Sequence, residues 1–268
     1  FNSPPEMLEE LSRDGDRDIR LSVASNPNTP AEVLFRLSEE FPEAVTANPI
    51  FELLVLENPG SHSLRLCLAR SSSTSEETLS RLADTRKFED DGICAAIACN
   101  PNTTIPILEK LASWCPAEYG DEEDWWFVHK RVALNPKTPV SLLKKLAKHE
   151  TSVVREAVAK HPNVSISILE KLAEDKMVEV LQAVVKNPKT QAFALEKLGV
   201  VEDRKIREAI LAHPNVSATA IAIVEFMEEK PETPIALLEK FANLEKLAGN
   251  KHTSVLIAVA ENPKVPLS

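Results

Sequence analysis

Six histidines, four cysteines and 41 carboxylates are the groups in this chain that could move protons, hold a metal or attack a substrate. The cysteines are Cys67, Cys94, Cys99 and Cys115, and no two of them stand at the two-residue gap that zinc and iron–sulfur sites use. They read as small buried residues of a reducing compartment; convergence of all four on a metal is the alternative. The histidines, His62, His129, His149, His161, His213 and His252, fall in no metal-ligand spacing. No nucleophile elbow, phosphate loop or dinucleotide fingerprint occurs, and only six glycines are present to build one. Adjacent carboxylates such as Asp90 and Asp91 read as solvated surface. These residues nominate no acid, base or nucleophile, so the sequence predicts no catalytic residue, no metal site and no cofactor.

The aromatic residues are more suggestive. All three tryptophans and the single tyrosine fall within residues 113–130, SWCPAEYGDEEDWWFVHK: Trp114, Tyr119, Trp125 and Trp126, followed by Phe127. Four carboxylates, Asp121 to Asp124, separate them. Two readings are open. The rings fold back over a neighbouring element and close a packing gap, or they anchor another protein, since Trp and Tyr dominate interface hot spots. Stacking of nucleobases on the same rings is opposed by the flanking carboxylates.

The elements that would carry these residues follow from a repeat. Asn-Pro or His-Pro recurs at Asn26, Asn48, Asn100, Asn135, His161, Asn187, His213 and Asn262, with Ser71-Ser72 as a degenerate copy. The steps are 22, 23, 29, 35, 26, 26, 26 and 49, so the central period is 26. Four residues before each corner proline stands an aliphatic: Val23, Val45, Leu68, Ile97, Val132, Val158, Val184, Ile210 and Val259. Three before it stand Ala24, Ala69, Ala98, Ala133, Ala159 and Ala260, with larger Val185 and Leu211. Seven after it stand Leu34, Leu56, Leu79, Leu108, Leu143, Leu169, Leu195 and Ile221, and ten after it a second aliphatic such as Leu37, Leu111 or Leu172. The 35-residue step is the longest between single units and contains the aromatic cluster, which reads as an insertion at 113–130.

Each unit reads as two short helices. In VVREAVAKHPNVSISILEKL (153–172), Val154, Ala157 and Val158 share one helical face, and the helix must stop near His161 because a residue before proline leaves the α region. Thr29-Pro30, Thr138-Pro139 and Thr233-Pro234 place a hydroxyl where it could cap the second helix, with Ser165 and Ser217 as caps lacking the proline. Helices of two turns are unstable alone, so each must bury its stripe against neighbouring units. An arginine seven residues before the corner, at Arg20, Arg65, Arg155 and Arg207, reads as a ladder bonding loop carboxylates or carbonyls. The unit after Pro214 runs through FMEEKPETP to Leu238 and Phe241 without a second helix of the V-R-x-A-V-A type.

The phrases VREAVAKHPNVSISILEKLAED, ANPIFELL, ALNPKTPVSLLKKLA and SNPNTPAEVLFRLS resemble the leucine-rich repeat variant family across about residues 2–268. The resemblance implies an α-helix alternating with a 3₁₀ helix in a right-handed superhelix without β-strands; which helix would be 3₁₀ is left open. The family's period is nearer 24, so HEAT-like double helices are a close alternative. Its iron–sulfur cysteine cluster has no counterpart here, and no cofactor is carried over. The expected fold is therefore all-α: a right-handed α-solenoid of about nine to ten two-helix repeats of about 26 residues, forming one domain over 1–268 and a fragment of a longer chain.

Charge narrows the function. The chain carries a net −10, with 12 basic and 24 acidic groups in residues 1–134 against 19 and 17 in residues 135–268. A phosphate-binding protein normally shows the opposite sign. No apolar run approaches the length of a membrane span. The sequence predicts a cytoplasmic, non-enzymatic repeat scaffold whose partner is another protein. Trp114, Tyr119, Trp125, Trp126 and Phe127 are the candidate partner-binding residues. A nucleic-acid-binding repeat protein and a metal- or cofactor-bearing protein are the alternatives.

Overall fold

The computed structural model describes residues 3–84, 91–113 and 126–229, and among them every regular element is an α-helix. The helices alternate in two layers. The first helix of each pair ends at a corner: α2 (Arg17–Ala24), α4 (Pro42–Thr46), α6 (His62–Arg70), α8 (Asp91–Cys99), α10 (Trp126–Leu134), α12 (Ser152–Lys160), α14 (Val178–Lys186) and α16 (Arg204–Leu211). Each is followed by its second helix: α3 (Ala31–Leu37), α5 (Phe51–Glu57), α7 (Glu76–Asp84), α9 (Ile105–Ser113), α11 (Val140–Leu146), α13 (Ile166–Leu172), α15 (Ala192–Gly199) and α17 (Ala218–Glu229), with α1 (Pro5–Leu11) ahead of the series. Helices of one layer pack on the next of their kind, as α6 on α8, α8 on α10, and α12 on α14. This is the α-solenoid arrangement. The chain forms two compact units, residues 1–138 and 139–268, and each shows it.

The aliphatic frame is the core. Val23, Val45, Ile97, Val132, Val158, Val184 and Ile210 are buried, as are Leu34, Leu79, Leu108, Leu143, Leu169 and Leu195. Six residues after the corner a further row, Val33, Ile107, Leu142, Ile168, Ala194 and Ala220, is buried without having been singled out by the sequence pattern. Each buried leucine contributes about 1.5–3 kcal/mol. Leu68 and Ile221 are half-buried, and two further residues of the frame are exposed. Leu56 is 78% exposed, and Leu211 is 42% exposed. In the second unit the corner lacks its extended Thr-Pro step, so α5 begins two residues after Pro49 instead of four. The helix is thereby turned, Phe51 and Leu54 go inward, and Leu53 and Leu56 face out.

The corners are held by side chains that reach from one unit to the last. Asn48 Nδ2 donates to the carbonyls of Ala24 and Asn26, each at 2.9 Å. Asn100 Nδ2 reaches Ala69 O and Ser71 O at 2.8 Å, Asn135 reaches Ala98 O at 2.7 Å, and Asn187 reaches Ala159 O at 2.7 Å. The same Asn accepts, through Oδ1, the amide two residues on, as in Asn102, Lys137 and Lys189. Histidine does both jobs. His213 Nδ1 accepts from the Asn215 amide at 3.0 Å, which leaves Nε2–H to donate to Asn187 O at 3.0 Å. Asn and His are interchangeable here because each offers one acceptor and one donor on opposite sides of a small planar group.

The threonines act differently from the caps that the sequence suggested. Thr29 Oγ1 donates backward to Val23 O at 2.6 Å, and Thr138 donates to Val132 O at 2.5 Å. Thr103 and Thr190 do the same to Ile97 and Val184. These hydroxyls give a second hydrogen bond to carbonyls at the end of the first helix that already accept the amides of Asn26, Asn135, Asn100 and Asn187. Pro30 and Pro139, not the threonines, stand at the cap of the second helix, with no side-chain hydrogen bond there. Ser165 makes no cap bond either, whereas Ser217 Oγ accepts the Ala220 amide at 3.0 Å. Thr233 lies outside the described residues, as do Val259, Ala260, Asn262, Leu238 and Phe241.

The second helices are not 3₁₀. Pro30 O accepts from Val33 N and Leu34 N, both at 3.0 Å, and Pro139 O accepts from Leu142 N and Leu143 N at 3.0 Å. The 3₁₀ character implied by the family resemblance is thus confined to a shared carbonyl in the first turn, after which i→i+4 bonding takes over. Packing is close where a side chain would not fit. A Cβ at Gly199, the last residue of α15, would come within 2.8 Å of Ile223 Cγ2 on α17.

Candidate binding surface

Three arginines of the ladder, Arg20, Arg155 and Arg207, are structural. Arg155 Nε and Nη2 grip the Asp175 carboxylate of the next unit at 2.6 and 2.9 Å, while Nη1 reaches His149 O and Glu150 O. Burial works against the Asp175 carboxylate, yet the Arg155 guanidinium and the amides of Met177 and Lys176 hold it below the usual aspartate value. Arg20 repeats the arrangement with Glu40 and with Asp14 O, and Arg207 donates to Val201 O. These side chains are committed to cohesion between consecutive units.

Among the described residues, the cysteines join no cluster that could hold a metal ion. Cys67 and Cys94 are buried, and burial pushes the Cys67 thiol up to about 12. Cys99 is exposed. Cys115 lies outside the described residues.

Of the candidate aromatic residues, Trp114, Tyr119 and Trp125 also lie outside the described residues. Trp126 and Phe127 are the first two residues of α10, both half-buried, with their rings edge to face at 6.0 Å. Each ring carries a cation one helical turn on. Lys130 Nζ is 5.9 Å from the Trp126 centroid, and the Arg131 guanidinium is 4.9 Å from that of Phe127.

Phe127 and Arg131 form one wall of an open groove of about 310 Å³ over α8. Arg70, the last residue of α6, stands on the opposite wall, with Asn100 at the end. The floor is Gly92, Ala95, Ala96 and Cys99. These are spaced i, i+3, i+4 and i+7, which is one face of a helix. They stand nine, six, five and two residues before the corner proline. At the same offsets α14 carries Glu179, Gln182, Ala183 and Lys186, and α12 carries Val153, Glu156, Ala157 and Lys160. The groove exists because α8 has shorter side chains at three of these four offsets, alanine being common to all three helices five residues before the corner.

At Gly92 packing does not require this smallness. A Cβ at Gly92 would meet nothing within 4 Å. A glycine within a helix costs roughly 0.5–1 kcal/mol relative to alanine, and here no close approach accounts for it. Because Asn100 and Asn135 tie the corners together, equal offsets lie at similar heights. Arg131 is therefore level with Ala96, Arg70 with Cys99, and Phe127 with Gly92. The floor runs about 10 Å from Gly92 to Cys99, at about 1.5 Å per residue. Its upper end is apolar and aromatic. Its lower end is cationic.

The groove escapes the repeat pattern because that pattern follows the offsets at which residues recur, not those at which one unit differs. Aligning the outward offsets of successive units would have exposed it: one unit of small residues among longer ones.

Residues 17–39 match the leucine rich repeat variant family. That segment is the α2–corner–α3 unit, and the later units repeat its Asn or His corner, its inward aliphatics and its helix pair. No curated protein and no solved structure matches the chain. Among the described residues, no helix is long and apolar enough to cross a membrane.

Proposed function

We propose that this chain is a non-enzymatic repeat scaffold that binds another protein, in the cytoplasm, through the outward face of its first-helix layer. The observation that carries the reading is the division of labour among the side chains. Corner Asn and His residues and three of the ladder arginines satisfy backbone groups or carboxylates of their own stack. The α8 face, in contrast, forms among the described residues an open groove between an aromatic wall and two arginines. Repeat architectures present extended surfaces of this kind, and the step from architecture to binding is an argument by analogy of fold. The net charge of −10 speaks against nucleic acid as the partner.

Affinity capture from a lysate of the source organism, followed by titration of the purified captured protein against the purified chain, tests the reading. A saturable complex that survives nuclease treatment is the expected result. Capture of nucleic acid alone, with affinity falling steeply as salt is raised, would overturn it in favour of a phosphate-binding protein.

A further inference from the structure

Resting on that reading, we propose that the groove over α8 receives an acidic peptide segment of the partner, its carboxylate held between Arg70 and Arg131 and an aliphatic side chain laid against Phe127 and Gly92.

Three observations converge on this occupant. The first is the charge left over. Residues 1–134 contain twice as many acidic as basic groups, so a surface arginine there is surrounded by potential partners. Arg20 takes Glu40, and Arg81 takes Glu77 at 2.6 Å. Arg70 and Arg131, on facing walls of one groove, have no ion pair among the described residues. The second is pre-organisation. Arg131 lies over the Phe127 ring, which limits the motion of its guanidinium while leaving its N–H edges available for a carboxylate. The third is shape. The floor offers small apolar side chains, and a volume of about 310 Å³ accommodates two or three side chains of an incoming segment but not a folded element. The chemistry is thus divided along the groove. The cationic end demands a carboxylate, and the Phe127 end demands an apolar group about one helical turn away.

The test is a selection from a displayed library of random twelve-residue peptides on the full-length chain, followed by anisotropy titration of the enriched sequences. Two double variants serve as controls. Arg70→Gln/Arg131→Gln removes the charge, and Gly92→Leu/Ala96→Leu fills the floor; both are checked for an unchanged circular dichroism spectrum and urea midpoint. The enriched peptides are expected to share an Asp or Glu beside an aliphatic residue. Their affinity should fall roughly tenfold or more on each variant, and also when the acid is changed to its amide. Enriched peptides that lack an acid, or that bind all variants equally, overturn the groove while leaving the scaffold reading in place. Failure to enrich any peptide overturns the groove assignment, and protein capture then decides the scaffold reading separately. A single-stranded oligonucleotide is titrated in parallel. If it binds more tightly than the peptides and loses affinity on the glutamine variant, the arginines serve phosphate, and the peptide assignment is wrong.

Discussion

α8 and α14 hold the same place in their units and are fastened in the same way, yet they present opposite faces. At their corners Asn100 and Asn187 each donate to the carbonyl of an alanine in the preceding unit, at 2.8 and 2.7 Å. Thr103 and Thr190 each close a carbonyl of their own first helix at 2.5 Å. Ile97 and Val184 are both fully buried. Three of the four outward offsets differ: Gly, Ala and Cys on α8 against Glu, Gln and Lys on α14, with alanine shared at the fourth, Ala96 and Ala183. Inward and corner positions are dictated by the neighbouring unit, and a change there leaves a cavity or an unsatisfied carbonyl. Outward positions answer to no neighbour, so function can be written on one unit without disturbing the stack.

If the two regions share one core, Leu108→Ala and Leu195→Ala will each lower unfolding stability by about 2–5 kcal/mol, measured by urea denaturation. A loss near zero at either site breaks the comparison. The arginines sharpen it next. Arg155→Gln removes a grip on a buried carboxylate and should cost about 1.5–3 kcal/mol. Arg131→Gln, on the groove wall, should change stability by no more than about 0.5 kcal/mol. Corner substitution comes third. Asn187→Ala and Asn100→Ala each remove the side-chain donor to an alanine carbonyl of the preceding unit, while Ser71 O keeps the Thr74 amide at 3.2 Å, so each corner should lose about 1–3 kcal/mol, measured by urea denaturation.

Acid titration distinguishes a residue confined to the second unit. Burial holds His149 below the usual histidine value, and its Nδ1 accepts the Thr151 amide at 3.1 Å. The folded state therefore binds fewer protons here than the unfolded chain, which takes one up near about pH 6.5. Stability is lost as pH falls below that value toward the lowered folded one. His149→Gln should flatten the slope of stability against pH in that window, as read from urea midpoints at successive pH values. The smallest effect is expected at Leu56→Ala, within about 0.5 kcal/mol, because the side chain is already exposed.

The sequence showed the inward residues and little of what faces elsewhere. A period of 26 picks out Val158, Leu169 and Leu172 because burial against a neighbour imposes the same requirement in every unit. Leu56 kept its offset but lost its burial, since a two-residue change in the loop rotates a helix and offset counting does not register rotation. Thr29 and Thr138 were read as caps because local rules look forward along the chain; their hydroxyls turn back to the helix just finished. Asn100 and His213 enter the sequence pattern only as the residue before the corner proline. Their bonds to backbone 26 to 31 residues away have no local signature. The groove over α8 was invisible for another reason, because its signal is the shortness of side chains and appears only when units are laid side by side. Of the two aromatic candidates within the described residues, Trp126 and Phe127, Phe127 lines the groove.

The most direct test gives α8 the face of α14. Gly92→Glu and Cys99→Lys install the residues that stand at those offsets in Glu179 and Lys186, and nothing in the stack obstructs a side chain at position 92. Urea unfolding and titration with the selected acidic peptide are then measured on the same protein. The account predicts stability unchanged or slightly raised and peptide binding abolished. A protein that unfolds would mean the small residues are structural, and one that binds the peptide as before would mean that the groove is not where the partner sits.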